Sequence, residues 1–339
     1  MTRPFEGVKI LDFTQVLAGP YASYQLALLG ADVVKIERRG GEDMRRTPLS
    51  REWAERGLAP AFQAVNGNKR SLTLDLSKPE AIAIVKKLAP QADVVMENFR
   101  PGVMDKLGIG YEVLSAINPR LIYCAISGFG QTGPERNGAG YDGKIQAMSG
   151  IMAITGHEDS GPTRAGFAVC DVLSGATAAF AVSSALFQRT HTGKGQMVDV
   201  SMLEATLAFL SGQVADYSVA GHRQQLSGNQ AVSRRPTANL FKAGDGYLLL
   251  AVNSEKQYIA LMTALGPFAA QRRAAHVLAF ATLHLDHIGP EQRELVARIG
   301  ASQHLREVEN LHAFERSGQM DVLLLFLSSL SPCGRGWIE

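Results

Sequence analysis

Short apolar runs alternate with helical segments up to about residue 202, and this alternation restricts the fold more than any other feature. The intervening segments, such as 19–31 and 78–91, have helical spacing and are roughly a dozen residues long. The runs with the length and composition of strands are 8–13, 32–37, 70–76, 93–99, 120–129 and 197–202. Strands separated by helices form βαβ units, so the pattern predicts an α/β fold with a parallel sheet covered by helices on both faces.

The chain beyond this region changes character. Long helices are predicted over 171–190 and 203–221, and the polar, turn-rich segment 222–239 indicates a domain boundary or an active-site loop. The next stretch, 239–252, predicts a β-hairpin with Asp-Gly in its turn, followed by a helix over 254–265. A length of 339 residues is sufficient for two domains.

Composition excludes several classes of function. Hydrophobic residues make up 46% and charged residues 19%, which is typical of a globular enzyme. The net charge is only +2 and the basic clusters are short, so we expect no nucleic-acid partner. Three cysteines without paired spacing predict neither a disulfide framework nor a zinc site, and they favour a reducing, cytoplasmic compartment.

The sequence predicts neither a targeting signal nor a membrane-spanning segment. The N-terminus has no apolar core followed by a cleavage site, so no signal peptide is predicted. The longest apolar run near the end, 322–330, is too short to span a bilayer. We expect a cytoplasmic protein without a membrane partner.

Polar or glycine-rich groups follow four of the predicted strands directly. They are TQVLAGP, RRGGED, ENFRPG and SGFGQTGP. Because ligands of open α/β sheets bind at the carboxyl ends of the strands, these loops predict one composite site. Arg38 and Arg39 stand where such proteins contact a nucleotide phosphate, although they could equally be solvated charges.

Common motifs of other α/β enzymes do not occur. The chain has no G-x-G-x-x-G, no P-loop and no G-x-S-x-G, so dinucleotide, P-loop and α/β-hydrolase chemistry are not indicated. The pair His284 and His287 lacks acids or cysteines at ligand spacing, and no metal site is predicted.

Asp171 heads a segment of small residues that carries no charge before Arg189. An aspartate at a helix start usually caps the helix by accepting backbone N–H bonds. Alternatively, its carboxylate is a nucleophile that attacks an acyl carbon, and the small neighbours leave space for a bulky thioester. The residues alone leave both interpretations open.

Several ordered stretches between about residue 5 and about residue 265 match one known family. They are GVKILDFTQVLAGPYAS, LGADVVKIERRGGEDMR, NKRSLTLDLSKPEA, ADVVMENFRPGVMDKLGIGYEVLSAINPRLIYCAISGFGQTGP, GYDGKIQAMSGIM and RTHTGKGQMVDVSMLEA. Through them the chain resembles the class III coenzyme A transferases, which include formyl-CoA transferase, carnitine CoA-transferase and α-methylacyl-CoA racemase.

The resemblance implies the architecture of the whole protein. It implies a Rossmann-like large CoA-binding domain, placed at 1–221, a smaller α+β domain at 222–325, and two subunits interlocked as a homodimer. The segment 326–339 is an irregular tail, and the family's C-terminal return to the large domain is missing or altered here.

The resemblance also implies an activity. It is the transfer of CoA from an acyl-CoA to a carboxylic acid, with coenzyme A as a substrate and no permanently bound cofactor. Asp171 matches the family's catalytic aspartate, which forms a mixed anhydride and then an aspartyl-CoA thioester.

CoA contacts are carried over by position in the matching stretches. They are Val16, Leu17, Arg38, Leu74, Asp75, Asn98, Phe99, Arg100, Lys106 and Tyr141. Formyl-CoA transferase has a glutamine where this chain has Leu17, and its glycine-run loop is not visible here.

Two alternatives to the transferase remain. An α-methylacyl-CoA racemase needs two bases, but Tyr141 occupies the place of the racemase histidine and no histidine lies between 1 and 156. A degenerate, CoA-binding homologue is the other alternative, because the C-terminal region departs from the family pattern.

Overall fold

The structure, a computed structural model, describes residues 2–233, 235, 237–243 and 246–264. Its strands are β1 (Lys9–Asp12), β2 (Asp32–Glu37), β3 (Lys69–Thr73), β4 (Val94–Glu97), β5 (Ile122–Ser127), β6 (Gly156–His157), β7 (Gly161–Pro162), β8 (Gln196–Ser201), β9 (Ala238–Ala243) and β10 (Gly246–Ala251).

The helices alternate with these strands in the first half of the chain. They are α1 (Ala18–Leu28), α2 (Arg51–Glu55), α3 (Pro60–Ala64), α4 (Pro79–Leu88), α5 (Val103–Lys106), α6 (Tyr111–Ile117), α7 (Asp142–Met148), α8 (Ile151–Ile154), α9 (Val169–Thr192), α10 (Met202–Phe209), α11 (Ser211–Ala220) and α12 (Glu255–Ala264). Short 3-10 turns cover Asp43–Arg46 and Ala89–Gln91.

Six strands form one parallel sheet in the order β3-β2-β1-β4-β5-β8. In the central register, Ile10 lies beside Val33 on one side and Val94 on the other. The α/β class with a parallel sheet is therefore confirmed. The strand order reverses between β1 and β4, which makes this the position where a ligand-binding crevice opens.

Helices cover both faces of the sheet, as predicted. One core combines alternate strand residues such as Ile10, Val94 and Cys124 with α1 and α9. The other combines the intervening residues, such as Val95 and Ala125, with α4 and α6. Because successive strand side chains point to opposite faces, a central strand buried on both sides reads as a continuous apolar run.

Helix α9 carries the small residues noted in the sequence. Ser174, Gly175 and Ala178 are buried, and they lie on the face that packs against α1. By length and composition α9 could also cross a membrane, the one described helix of which this is true. Its buried face belongs to the sheet core, which accounts for part of its apolar composition.

The prediction of one helix over 203–221 is wrong in one respect, since the chain forms α10 and α11 with Leu210 between them. Leu210 has φ −90° and ψ 19°, outside helical geometry, and ends the first helix. Gly212 follows in the first turn of the second helix. The apolar spacing continues through the break, so the pattern did not reveal it.

The described chain forms two compact units. The first contains 2–156 and 160–226, and the second contains 157–159 and the described residues from 227 onward. In the second unit β9 and β10 pair antiparallel, with Leu248 opposite Phe241, as the predicted hairpin requires. The hairpin turn at 244–245, most of the region 222–325 and the tail 326–339 lie partly or wholly outside the described residues, and the boundary at 221 stays a prediction.

Candidate active site

The loops that follow β1 and β4 are tied together at the strand-order reversal. The Asn98 side chain accepts a hydrogen bond from the Gln15 backbone N–H at 2.8 Å and donates one to the Gln15 carbonyl at 2.7 Å. Two of the four loops expected to form a composite site are thus joined by one amide side chain.

Val16 adopts an unusual backbone conformation in the first of these loops. Its φ is +67°, in the left-handed region, which a β-branched residue adopts only under strain of about 1–3 kcal/mol. Its N–H donates to Glu42 Oε2 at 2.6 Å, and Glu42 in turn pairs with Lys35 at 2.8 Å. Leu17 follows as the half-buried residue that precedes α1.

The loop after β2 carries Arg38, whose side chain is largely exposed. Its guanidinium donates to the Gly41 carbonyl at 3.0 Å and pairs with Asp43. Behind it, Arg45 donates two hydrogen bonds to the buried Glu37 carboxylate, at 2.6 and 2.7 Å. These bonds hold the pKa of Glu37 low although its burial opposes them, so the loop is anchored by a charged pair.

Leu74 and Asp75 follow β3 at the same edge. Leu74 is buried, and its N–H donates to the Glu37 carbonyl at 2.8 Å. Asp75 is exposed and accepts hydrogen bonds from the N–H and hydroxyl of Ser77, which lower its pKa.

Phe99, Arg100 and Lys106 follow β4. The Phe99 N–H donates at 2.7 Å to the carboxyl of Glu97, the last residue of the strand. Burial, reinforced by the nearby carboxylates of Asp105 and Asp199, raises the pKa of Glu97 to about 8. Arg100 and Lys106 are exposed, and within the described chain no hydrogen bond or ion pair ties their side chains to the other predicted contacts.

Asp171 is the third residue of α9 and does not cap it. The residue at the cap position is Ala168, and within the described chain no hydrogen bond reaches the Asp171 carboxylate. Burial, reinforced by the negative charge of Asp142, raises the pKa of Asp171 to about 7. A half-buried carboxylate without hydrogen-bond partners is available for reaction with a ligand.

Asp142 performs the capping role that an aspartate at position 171 would ordinarily have. Its carboxylate accepts the Cys170 N–H at 2.9 Å and the Gln146 side-chain amide at 2.6 Å. Gln146, fully buried, also accepts the Ala165 N–H at 2.9 Å, while Arg164 Nη2 lies 3.6 Å from Asp142. The chain leading into α9 is therefore held by α7.

Asp171 lies on a helix, α9, that packs closely on α1. A Cβ added to Gly175 would lie 2.5 Å from the Ala18 carbonyl oxygen and 2.9 Å from Tyr21 Cδ1. Asp171 is one turn before Gly175 on the same face of the helix. The predicted nucleophile therefore lies on the face of α9 that packs against the first turn of α1.

Two further loops cross at glycines. A Cβ added to Gly128, after β5, would lie 2.5 Å from the Cα of Gly140. Tyr141 follows directly and is exposed, preceding the first residue of α7. The crossing therefore holds the β5 loop against the start of α7.

The predicted contacts differ in how they are held. Hydrogen bonds to a neighbouring loop or strand end hold Val16, Leu74 and Asn98. The bonds of Arg38 and Phe99 stay within their own loops. Leu17 precedes α1, on which α9 with Asp171 packs. Within the described chain, the side chains of Asp75, Arg100, Lys106 and Tyr141 make no hydrogen bond to any of these residues.

The sequence interpretation missed Lys35, Glu42, Glu97 and Asp142. Each is charged and buried, and Glu42, Glu97 and Asp142 hold a backbone N–H of a segment that carries a predicted site residue. A charged residue inside an apolar strand was the available signal for Lys35 and Glu97. Within the described residues no cluster of histidine, cysteine and acidic residues is suited to a metal ion.

Comparison with known proteins agrees with this geometry. The model of CoA-transferase family III matches residues 5–316. A succinate–glutarate CoA-transferase of Agrobacterium fabrum is 40% identical, with 78% of this chain aligned to 66% of that protein. An acetyl-CoA:oxalate CoA-transferase of Acetobacter aceti is 41% identical over 78% of this chain and 67% of that protein.

Solved structures give the same result. A CaiB/BaiF family protein from Brucella suis superposes with a TM-score of 0.74 and 36% identity, covering 88% of this chain and 78% of that one. The aligned part of the chain spans between 58% and 67% of the length of these and other curated relatives. With a family model covering most of its length, the chain belongs to CoA-transferase family III.

Proposed function

We propose that this protein transfers coenzyme A from an acyl-CoA to a carboxylic acid, with Asp171 as the covalent nucleophile. The observation that carries the proposal is the Asp171 carboxylate, which is half-buried, unbonded within the described chain and carried in the first turn of the helix that packs on α1. The named activities of the relatives support the reaction class.

The first half-reaction consumes the donor. An Asp171 carboxylate oxygen attacks the thioester carbon, the C–S bond breaks, and CoA leaves as a thiolate from a mixed anhydride. The thiolate then attacks the aspartyl carbonyl of the anhydride. The donor acid leaves as a carboxylate, and a β-aspartyl-CoA thioester remains.

The second half-reaction repeats these steps in reverse order with the acceptor. The acceptor carboxylate attacks the aspartyl-CoA carbonyl and releases the thiolate, which then attacks the acceptor acyl carbon. The Asp171 carboxylate is released unchanged. Every intermediate is activated toward water, so burial of the acid also protects the thioester energy from hydrolysis.

The CoA molecule is proposed to bind at the carboxyl ends of β1 to β4. Val16 and Leu17 would contact it from the first loop, Arg38 would bind a phosphate, and Asn98 and Phe99 would contact it from the β4 loop. The exposed Arg100 and Lys106 would meet further phosphates. Leu74, Asp75 and Tyr141 complete the proposed contacts.

Short dicarboxylic acids are the proposed acceptors. The relatives are named for succinate, glutarate and oxalate, which share two carboxylates on a short chain.

The protein is further proposed to act as an interlocked homodimer in the cytoplasm. Large apolar side chains, including Phe180, Phe187 and Val219, are exposed on α9 and α11 of the single chain, which supports coverage by a second copy. The described cysteines, Cys124 and Cys170, are free and buried, in keeping with a reducing compartment.

The test is to trap the covalent intermediate. The protein is incubated with succinyl-CoA, quenched with hydroxylamine, digested and analysed by mass spectrometry, and exchange of CoA onto glutarate and oxalate is followed in parallel. A hydroxamate on the peptide containing Asp171 is expected from the wild type and not from Asp171→Asn. Glu204→Gln, which alters an exposed acid in the first turn of α10, is the control.

Other outcomes point to the alternatives. Bound CoA without any Asp171 adduct or exchange would indicate a degenerate CoA-binding homologue. Loss of an α-deuterium from a 2-methylacyl-CoA without exchange would indicate a racemase.

A further inference from the structure

Two buried side chains, Lys35 and Glu42, hold the loop that contains the strained residue Val16. The preceding Thr14 carbonyl accepts a hydrogen bond from Lys35 Nζ at 2.6 Å. The Val16 N–H itself donates to Glu42 Oε2 at 2.6 Å. Lys35 and Glu42 form an ion pair, with Lys35 Nζ 2.8 Å from Glu42 Oε1, so the two groups that hold the turn also contact one another.

The burial of the Lys35–Glu42 ion pair requires an explanation other than stability. Lys35 is 2% exposed and Glu42 is 5% exposed. Such a pair loses nearly all of its hydration, and replacement by apolar residues of similar size is often neutral or stabilising. An apolar pair could not hydrogen-bond the Thr14 carbonyl and the Val16 N–H. These two hydrogen bonds set the turn at Val16.

Side-chain packing does not explain the strain either. Val16 is 45% exposed, so its isopropyl group is not being fitted into a core. Of the described non-glycine residues only Val16 and Asn68 have positive φ, and asparagine adopts this region far more readily than valine. The conformation is therefore imposed on the backbone by its anchors.

The same carboxylate links two loops. Glu42 ends the turn that contains Arg38, and its own N–H donates to Glu37 Oε2 at 3.2 Å. Through Glu42, the position of the Arg38 loop and the position of Val16 and Leu17 are set together. A ligand that contacts both loops would find them already arranged.

We propose that Lys35 and Glu42 are positioning residues for coenzyme A, holding Val16 in the left-handed conformation and fixing the first binding loop against the Arg38 loop. This inference rests on the proposed function, because it takes both loops as CoA contacts. Neither side chain touches the ligand or the reacting atoms.

The test replaces the whole pair, which avoids leaving one buried charge unpaired. In the double variant K35M/E42L we expect unchanged or higher thermal stability but a Kd for CoA raised about tenfold, measured by calorimetry on the full chain. The KM for the acyl-CoA donor should rise in parallel while kcat stays within about twofold. Val16→Gly in the same background should recover part of the affinity, because glycine adopts this conformation without strain.

The control is the double variant R70M/D32N. It removes an exposed ion pair between β2 and β3, at the first residue of β2 and away from both loops. Its CoA affinity should equal that of the wild type.

The outcomes separate this inference from the proposed function. If K35M/E42L binds CoA as tightly as the wild type, the positioning role is wrong even though transfer continues. If the wild type binds CoA but gives no Asp171 adduct, the transferase proposal fails and the Kd ratio still decides the positioning role. A wild type that binds no CoA overturns both.

Discussion

Asp142 acts on Asp171 through the first turn of α9. Its carboxylate accepts the Cys170 N–H at 2.9 Å, and its negative charge adds to burial in raising the pKa of Asp171 to about 7. One side chain thus orients the helix that carries the proposed nucleophile and also disfavours the ionised form that attacks. The interaction between Asp142 and Asp171 predicts how the rate of transfer depends on pH.

Asp142→Asn should move the acid limb of the rate profile to lower pH. Activity requires ionised Asp171, so it rises with pH through a pKa of about 7 and levels off above. Removing the like charge lowers that pKa, while burial keeps it above the ordinary value of 3.8. The check is kcat against pH from 5 to 9; an acid limb that stays in place would contradict the coupling, and Glu204→Gln should leave it in place.

Asp171→Asn should abolish transfer and stabilise the protein at neutral pH. Loss of the nucleophile should lower kcat by at least about 10³-fold. In the folded state the acid stays protonated up to about pH 7, whereas in the unfolded chain it ionises near 3.8. The wild type therefore loses more stability than the variant between pH 4 and 7, and the variant should be more stable by about 2 kcal/mol at pH 8, allowing for partial exposure.

The measurement is denaturant unfolding of both proteins at pH 4 and pH 8. The difference in free energy of unfolding should be near zero at pH 4. An equal difference at both pH values would show that the asparagine acts through packing and not through ionisation.

Glu97→Gln and Glu97→Ala should have opposite effects. Glutamine is neutral, as Glu97 is below its pKa of about 8, and its amide oxygen can still accept the Phe99 N–H. Glu97→Gln should therefore keep CoA affinity and gain about 3 kcal/mol at pH 8, a gain that fades toward pH 4.5. Glu97→Ala leaves the Phe99 N–H unpaired, so at pH 5, where little is gained from removing the acid, it should lose about 2 kcal/mol; it should also weaken CoA binding.

Thermal unfolding at pH 5 and 8, with CoA titrations at pH 8, tests the pair of variants. If alanine and glutamine weaken CoA binding equally, the carboxyl is not needed to shape the Asn98–Phe99 turn.

Gly175→Ala should separate α9 from α1. The new methyl would lie 2.5 Å from the Ala18 carbonyl, so the helices must shift at a cost of about 1–3 kcal/mol. Because Asp171 is one turn away, kcat/KM should fall more than the stability loss alone explains. Gly212→Ala is the control, since its added methyl meets no atom within 4 Å, and it should be neutral or slightly stabilising.

The strands could be predicted because their signal is local. The segment 32–37 is predicted as a strand and is β2 with the same bounds, because its β-branched residues Val33, Val34 and Ile36 are visible in any short window. The break at Leu210 was not visible, because both sides of it continue one apolar spacing. The fold class could therefore be predicted from the local hydrophobic pattern, whereas the ends of the helices could not.

The site was predictable only in part for a similar reason. The loops after the strands could be named because a parallel sheet brings its carboxyl ends to one edge. The anchors could not, because Asp142 is 28 residues from Cys170 and Glu42 is 26 residues from Val16. Only folding brings those atoms together, and no local pattern records the pairing.

The contact between Gly128 and Gly140 has a consequence for protein engineering. With the backbones touching at that point, the exposed chain between Gln131 and Gly138 is a closed loop whose two ends are fastened to each other. Such a loop can be shortened, lengthened or replaced at small entropic cost, because its ends need not be brought together again. Sequence diversity introduced there would leave Tyr141 and Asp142 where they are, provided that both glycines are kept.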